Sequence, residues 1–328
     1  ITVRQPGIQT TVQDLGRPAT QHLGVPVGGP MDRVAHRIAN LLVGNDDDAA
    51  TLECGFGGVA LQFRDATLVA MTGRAITASC DGRPVTAWRP FIVQPQELLV
   101  LHDGCRTTIA IAGGIDVPVV LGARGTSLRA GFGGFLGRAL QRDDVLPVGQ
   151  PTALGTRIMT RIADAMRVTA AWGAGPALIP PYSASPVLRL IEGPELEGLT
   201  AASRHTLLDD TFRVAPESDR MGFRLTGHTL SMQTTREMLS SGVTAGTIQL
   251  PPGGAPIVLM ADRQTTGGYP RLGDVITVDL PLLAQLRPGD AVRFALTSLA
   301  EAQAGLLRQE RDITTARAGL KLLLDSAK

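Results

Sequence analysis

The sequence contains few of the residues that mark a nucleic-acid or membrane protein. Of its 328 residues only 4% are aromatic, and lysine plus arginine (31) nearly balance aspartate plus glutamate (30). The formal net charge of +1 gives no electrostatic reason to expect nucleic acid or an anionic membrane as a partner. No apolar run reaches the roughly 18 residues that a transmembrane helix needs. The composition therefore predicts neither nucleic-acid binding nor a membrane span.

Cysteine and histidine are too sparse to predict a metal site. Cys54, Cys80 and Cys105 lie far apart without a CxxC pair, and the five histidines form no HxH or HExxH pair. This cysteine usage suits a reducing compartment, where the three behave as small apolar residues. The first residues show no charged region followed by an apolar one, as a secretory signal would. We therefore expect no metal and a cytoplasmic location.

Glycine and proline are abundant, with 38 and 22 residues. Such frequent turn residues favour many short strands over long helices, and so a mainly β fold with a few short helices. Short β-favouring runs are predicted as strands at residues 67–72, 97–101, 107–112, 187–191, 256–260, 275–280 and 291–296.

Two helices are predicted. The first covers residues 31–43, where Pro30 suits the first turn, Asp32 complements the helix dipole and Gly44 ends the helix. The second covers residues 298–310, which are rich in Ala, Leu, Gln and Glu, with a helical or frayed segment after it.

A faint internal duplication organises the chain. A short β-run precedes Asp14 and Arg17 near the start, and a similar run precedes Asp219 and Arg220 near the middle. Each is followed by a strand, VAMTGR at residues 69–74 and VLMADR at residues 258–263. Chance similarity between β-rich segments is the competing explanation. We predict two related β domains at residues 1–180 and 187–298 and a helical tail at residues 299–328.

The strongest candidate for a site lies in residues 242–270. An apolar strand there leads directly into an acid, a base and an amide, Asp262, Arg263 and Gln264, and a glycine pair follows. A buried strand that ends in hydrogen-bonding side chains is a rigid support for a ligand site. The alternative is an ordinary polar loop, but the order of these residues favours a site. Of the two copies of the duplicated element, only the second has these polar side chains after its strand.

Two glycine-rich segments are further candidates. Residues 24–32 lead into the first predicted helix, whose free backbone N–H groups could receive an anion, although no GK[ST] follows and a plain turn is equally compatible. Residues 112–140 embed Asp116, Arg124 and Arg138 among glycines, and arginine suits a carboxylate ligand. The sequence has no GxSxG motif and no Cys–His pair, so we expect acid–base chemistry and positioning, not a covalent triad.

Several segments together resemble one family. They are TTVQDLGR (10–17), GVPVGGPMD (24–32), HRIANLLVGN (36–45), AGGIDVPVVLG (112–122), FGGFLGR (132–138), SDRMGFRL (218–225) and IQLPPGGAPIVLMADRQTTGGYP (248–270). In this order, and over nearly the whole chain, they resemble the biotin-dependent carboxyltransferase family, also called allophanate hydrolase subunit 2 or KipA. Its bacterial stand-alone members are components of 5-oxoprolinase (PxpC). The resemblance implies two tandem cyclophilin-like β-barrel domains.

The resemblance also implies an activity and partners. A KipI/PxpB-type subunit and a PxpA-type subunit would complete an ATP-dependent enzyme that opens 5-oxo-L-proline, a lactam, to L-glutamate. No Walker motif is present, so ATP is expected to bind mainly outside this chain. Arg17, Arg220 or Arg263 would hold a carboxylate or phosphate, while Asp262 and Gln264 orient substrate or water. We predict Asp262, Gln264 and Arg263 as catalytic, and as substrate-binding Arg17, Asp32, Arg124, Arg138, Arg220, Gln249, Thr265, Thr266 and Tyr269.

Three alternatives stay open. Relatives within urea carboxylase move CO₂ from carboxybiotin to urea; this chain has no AMKM-type biotinylation site, so that role would need a separate carrier protein. A KipA-type protein could also act only by binding a KipI-type kinase inhibitor. Finally, Asp14, Asp219 and the arginines could be ion pairs that stabilise the two domains.

Overall fold

The computed structural model describes residues 1–234 and 238–325. It is mainly β, as the composition predicts, and it divides into two compact units. The first unit comprises Ile1–Arg17, Asp32–Pro180 and Glu310–Lys328, and the second comprises Pro18–Met31 and Pro181–Gln309. The continuous ranges predicted for the domains share the boundary near residue 180. The predicted ranges differ from these units in two ways. The segment Pro18–Met31 belongs to the second unit, and the predicted tail at residues 299–328 is divided between the two units at Gln309.

The first unit is built from ten strands and two helices. They are β1 (Thr2–Pro6), β2 (Gln9–Gln13), α1 (Arg33–Leu42), β3 (Thr51–Gly55), β4 (Val59–Gln62), β5 (Thr67–Thr72), β6 (Thr77–Cys80), β7 (Arg83–Val85), β8 (Pro90–Val93), β9 (Leu98–Asp103), β10 (Arg106–Ile111) and α2 (Ala153–Asp164). The strands form two antiparallel five-stranded sheets, ordered β1-β4-β9-β6-β7 and β2-β3-β10-β5-β8.

Helix α1 covers the centre of the second of these sheets. It packs against β5 and β10, and every residue of β10 is buried, since a strand covered on both faces has no solvent side. The helix begins two residues later than predicted because Asp32 is its N-cap and accepts the N–H of Ala35 at 2.9 Å. It ends before Gly44, which adopts a φ of +76° that favours glycine.

The second unit contains a closed seven-stranded barrel. Its elements are β11 (Val187–Glu192), α3 (Ala201–Asp209), β12 (Phe212–Val214), β13 (Gly222–Thr226), β14 (Ser241–Gly242), β15 (Thr247–Gln249), β16 (Ile257–Leu259), β17 (Thr266–Gly267), β18 (Arg271–Val275), α4 (Leu280–Ala284) and β19 (Ala291–Leu296). The barrel order is β11-β18-β15-β16-β13-β12-β19, closed by the parallel pair β19 and β11. Strands β14 and β17 form a separate two-stranded ribbon.

The barrel core follows from alternation along its strands. In β19, Val292 and Phe294 point inward while Arg293 faces solvent, as the period of two requires. Phe294 packs against Phe212 with ring centroids 6.1 Å apart. The strand predicted at residues 275–280 is wrong, because β18 ends at Val275 and a short 3-10 turn (Thr277–Asp279) follows.

The second predicted helix continues into the segment that was expected to be helical or frayed. Helix α5 (Leu299–Asp325) runs for 27 residues, of which those from Glu310 onward belong to the first unit. Residues 326–328 of the predicted tail lie outside the described residues. Across the residues that are described, no helix combines the length and the apolar character needed to cross a membrane.

Candidate functional site

A bidentate ion pair of the second unit joins the start of β13 and the end of β16. Arg220, just before β13, donates from Nε to Oδ2 of Asp262 at 2.8 Å and from Nη2 to Oδ1 at 2.9 Å. Nη2 also donates to the carbonyl oxygen of Gly29 at 2.6 Å. The Asp262 N–H in turn donates to the Arg220 carbonyl at 2.8 Å, so the ladder between the strands continues past their ends. This bidentate ion pair fixes both side chains and neutralises both charges.

Asp219 does not take part in this ion pair. Its Oδ1 accepts the N–H groups of Met221 at 2.7 Å and Gly222 at 3.2 Å, which closes the turn before β13. The suggestion that Asp219 pairs with Arg220 is therefore wrong: Asp219 stabilises backbone, and Arg220 pairs with Asp262.

Arg263 follows Asp262 but lies in a different environment. Only 8% of the residue is exposed, and its side chain makes two long hydrogen bonds of 3.4 Å to the carbonyl oxygens of Val243 and Met260. No carboxylate of the described residues forms an ion pair with it, and burial lowers the pKa of its guanidinium. A buried cation held by carbonyl groups alone is electrostatically ready to receive an anion.

The side chains of two glutamines are in contact, and one of them, Gln264, directly follows Arg263 in the sequence. Gln264 donates from Nε2 to Oε1 of Gln249 at 3.3 Å. Gln249, the last residue of β15, is only 2% exposed, and its Nε2 has no hydrogen-bond partner among the described residues. A buried donor without a partner is uncommon, because leaving it unpaired costs about 1–3 kcal/mol.

The remaining predicted residues of this segment border the ribbon of β14 and β17. Thr265 accepts the N–H of Val243 through its carbonyl oxygen at 3.1 Å, and Thr266 pairs with Gly242. Tyr269 is 46% exposed and lies just beyond the ribbon. The structure thus brings Arg220 to Asp262 and Gln249 to Gln264, both pairs within the second unit.

A second polar cluster lies in the first unit. Asp14 accepts the N–H groups of Gly16 (3.0 Å), Gly125 (3.1 Å) and Arg124. Arg17, only 2% exposed, donates from Nη2 to the Gly125 carbonyl at 2.5 Å and lies 5.0 Å from the centroid of the Phe132 ring. The glycine-rich segment is thereby fastened to the end of β2.

Sequence reasoning missed Gln13 in this cluster. Gln13 is fully buried at the end of β2; its Nε2 donates to Thr11 Oγ1 and to the Thr126 carbonyl, while its Oε1 has no partner among the described residues. The sequence pattern of β2 does not indicate that Gln13 is buried, because four of the five residues of this strand are buried and burial does not alternate along it.

Three other predicted binding residues have structural partners. Arg138 donates from both terminal nitrogens to Asp144 at 2.8 Å each, and the bond to Arg138 lowers the pKa of the Asp144 carboxyl. Arg124 reaches Asp116 at 3.4 Å on the surface. At the start of α1 the Asp32 carboxylate occupies the N–H group that was expected to receive an anion. A phosphate there would meet a like charge.

The two clusters support the duplication. Asp14 and Asp219 each accept a backbone N–H two residues ahead, and Arg17 and Arg220 are both buried and donate to a glycine carbonyl. In the second cluster Arg220 also binds the carboxylate of Asp262.

Comparison with known proteins gives the family. The family described as carboxyltransferase domain, subdomain A and B, matches residues 23–296, and the chain belongs to it. The C component of the 5-oxoprolinase of Escherichia coli (strain K12) is 38% identical over 312 residues, which cover 93% of this chain and 94% of that protein. The protein of the same name from Haemophilus influenzae is 33% identical over 93% of each chain.

A solved structure has the same fold. The Kluyveromyces lactis urea carboxylase matches with a TM-score of 0.86 and 26% identity, over 96% of this chain and 29% of that chain. The family assignment drawn from the sequence motifs is therefore confirmed.

Proposed function

We propose that this chain is the PxpC-type component of an ATP-dependent 5-oxoprolinase, which opens 5-oxo-L-proline to L-glutamate together with PxpB-type and PxpA-type subunits. One observation carries the proposal: the match to the Escherichia coli 5-oxoprolinase component extends over 93% of this chain and 94% of that protein. The match therefore spans nearly the whole of both sequences.

The chemistry requires a cation for the substrate carboxylate and donors for the lactam oxygen. A lactam is a poor electrophile, and phosphorylation of its amide oxygen by ATP makes ring opening accessible. Among the arginines predicted to hold a carboxylate, Arg220 is already neutralised by Asp262, whereas Arg263 has no acidic partner in the described residues. We therefore assign the substrate carboxylate to Arg263. Asp262, whose orientation Arg220 fixes, would align substrate or water.

ATP would bind mainly on another subunit. The sequence has no Walker motif, and the start of α1, the expected anion site of this chain, is occupied by the Asp32 carboxylate. This chain would then contribute substrate positioning, and the partner subunits the nucleotide.

A reconstituted complex tests the proposal. The chain, mixed with its two partner subunits, is expected to release glutamate from 5-oxoproline only when ATP is present. Arg263→Met should raise the KM for 5-oxoproline at least tenfold, because a hydrogen bond to a charged group contributes about 1.5–3 kcal/mol. Arg293→Met, which removes an exposed arginine from β19, is the matched control and should leave KM unchanged. Absence of glutamate with all three subunits present would refute the function.

A carboxyltransferase role is the second candidate. It is favoured by the TM-score of 0.86 to a urea carboxylase. In this role the chain would move CO₂ from carboxybiotin on a separate carrier protein to urea or a related amide. Incubation with carboxybiotin and urea distinguishes the two roles, because 5-oxoprolinase consumes neither.

A further inference from the structure

The carboxamides of Gln249 and Gln264 form a pair that is joined by a single hydrogen bond, and the Gln249 nitrogen is buried. Two primary amides can join through two hydrogen bonds, each donating to the other's carbonyl. Here a single bond is present, from Gln264 Nε2 to Gln249 Oε1. Gln249 Nε2 has no partner in the described residues, and no hydrogen bond of those residues reaches Gln264 Oε1. One donor and one acceptor therefore remain available.

The orientation of the Gln249 carboxamide follows from its neighbour. With the opposite orientation, its N–H₂ group would face the N–H₂ group of Gln264, and two donors would oppose each other. The contact to Gln264 therefore fixes the relative orientation of the two carboxamides, and in the structure the nitrogen of Gln249 is the group without a partner in the described residues.

The nitrogen of the Gln249 carboxamide lies close to the backbone of Gly267. A Cβ built at Gly267 would collide with Gln249 Nε2. The φ of Gly267 is not positive, so its backbone conformation does not itself require glycine. What keeps a side chain out is the Gln249 amide, which lies directly against β17.

We propose that Gln249 and Gln264 form a receptor for a ligand with a cis amide, the arrangement found in a lactam ring. The ligand carbonyl accepts the N–H₂ of Gln249, and the ligand N–H donates to Oε1 of Gln264. A lactam presents these two groups side by side, and binding it satisfies both glutamines at once. The receptor is neutral, which favours an amide over a carboxylate, because a carboxylate has no N–H to offer Gln264.

The receptor also has a chemical consequence. A donor aimed at the lactam oxygen stabilises the negative charge that this oxygen gains when a nucleophile adds to the ring carbonyl. This consequence rests on the proposed function, which identifies the lactam as 5-oxoproline. The existence of the receptor does not rest on it.

The test uses the full chain alone, without ATP, and 2-pyrrolidone as the probe. This lactam has no carboxylate, so binding does not depend on Arg263. Saturable shifts of the Gln249 side-chain N–H₂ signal in ¹H–¹⁵N spectra are expected. N-Methyl-2-pyrrolidone, which lacks the N–H, should bind about fivefold more weakly, since one neutral hydrogen bond contributes about 1 kcal/mol. Equal binding of 2-pyrrolidone and N-methyl-2-pyrrolidone, or no saturable shift, overturns the proposal.

Two variants with matched controls exclude an indirect effect. Gly267→Ala should displace the Gln249 amide without unfolding the chain and weaken 2-pyrrolidone binding about tenfold. Gly253→Ala is its control, since nothing lies within 4 Å of a Cβ there. Gln249→Met should act like Gly267→Ala. Gln233→Met is its control, because the Gln233 amide donates to the carbonyl oxygens of Leu199 and Glu197. Unchanged binding in folded Gly267→Ala and Gln249→Met refutes the receptor.

The same variants separate this inference from the proposed function. If the reconstituted complex turns over 5-oxoproline and Gln249→Met does not alter kcat or KM, the function stands and the receptor fails. If 2-pyrrolidone binds as expected but the complex yields no glutamate, the receptor stands and the function fails.

Discussion

Arg220 binds both carboxylate oxygens of Asp262, with distances of 2.8 Å from Nε to Oδ2 and 2.9 Å from Nη2 to Oδ1. The pair lies in a poorly hydrated position, as both side chains are largely buried. Removing one partner of such a pair leaves the other charge buried and uncompensated. Asp262, which is predicted from the sequence to be catalytic, is therefore also expected to stabilise the second unit.

Asp262→Asn is expected to lower the free energy of unfolding by about 3 kcal/mol, because it breaks a largely buried bidentate ion pair with Arg220. Urea denaturation followed by circular dichroism measures the change. Glu192→Gln, which removes one side of an exposed ion pair to Arg204 at 3.8 Å, should change it by less than about 0.5 kcal/mol. Wild-type stability of Asp262→Asn together with lost turnover would make the role of Asp262 chemical instead of structural.

His36 predicts a pH dependence of stability. It is fully buried in α1, with Nδ1 3.0 Å from Thr51 Oγ1, and burial lowers its pKa from 6.5 to about 4. Between these values the unfolded chain binds the proton and the folded chain does not, so stability falls as pH falls from about 6.5 to about 4. The total loss is about 3 kcal/mol, at 1.36 kcal/mol per pH unit.

His36→Gln isolates this effect, because every other titrating group is shared with the wild type. The stability difference between the two proteins, measured by urea denaturation at pH 7 and at pH 4, should shift by about 3 kcal/mol in favour of the variant at the lower pH. A constant difference would show that His36 does not titrate in this range.

Arg138 offers a test of a predicted binding residue. Asp144 already occupies its guanidinium, so Arg138→Gln is expected to leave the KM for 5-oxoproline unchanged in the reconstituted complex. Its effect on the unfolding free energy should stay within about 1 kcal/mol, since the pair is partly exposed. A tenfold rise in KM with normal stability would restore Arg138 to the binding site.

Helix α5 is held within the first unit by charge. Arg37 of α1 donates to both carboxylate oxygens of Glu310 at 2.6 and 2.8 Å and also binds Asp47, which Arg317 of α5 contacts as well. Glu310→Gln should lower the free energy of unfolding by about 1 kcal/mol at low salt and by less at 1 M salt.

The Glu310 effect also has a pH signature. Arg37 lowers the pKa of the Glu310 carboxyl, so its stabilisation is present above the ordinary carboxyl pKa and is lost as pH falls through the lowered value. Thermal unfolding of the two proteins at pH 7 and pH 3 checks this: the difference in Tm should shrink at pH 3. A difference independent of both salt and pH would rule out the ion pair as its cause.

The sequence was sufficient for the elements whose signals are local. Residues 67–72 and 291–296 are predicted as strands and are β5 and β19, because β-branched and apolar residues there end at turn residues. Residues 275–280 also have a β-favouring composition, yet after Val275 the chain turns and Asp279 accepts the N–H of Arg189 at 2.8 Å. That bond spans 90 residues, so no local window contains it.

The candidate site likewise has features that the sequence predicts and features that depend on contacts between distant residues. The order of Asp262, Arg263 and Gln264 after a strand was visible in the sequence, and the structure does place them at the end of β16. Which arginine has an acidic partner was not visible, because Arg220 lies 42 residues from Asp262. The position of the buried Gln249 amide likewise depends on contacts with Gln264 and Gly267, which form only in the folded unit.

The course of α5 affects the order in which the protein can be made. Residues from Glu310 onward belong to the unit that also contains Ile1–Arg17. During synthesis on the ribosome, the first unit therefore stays incomplete until the whole of Pro181–Gln309 has been made. A premature stop after Gln309 would consequently impair the first unit, although it lies more than a hundred residues downstream of Pro180.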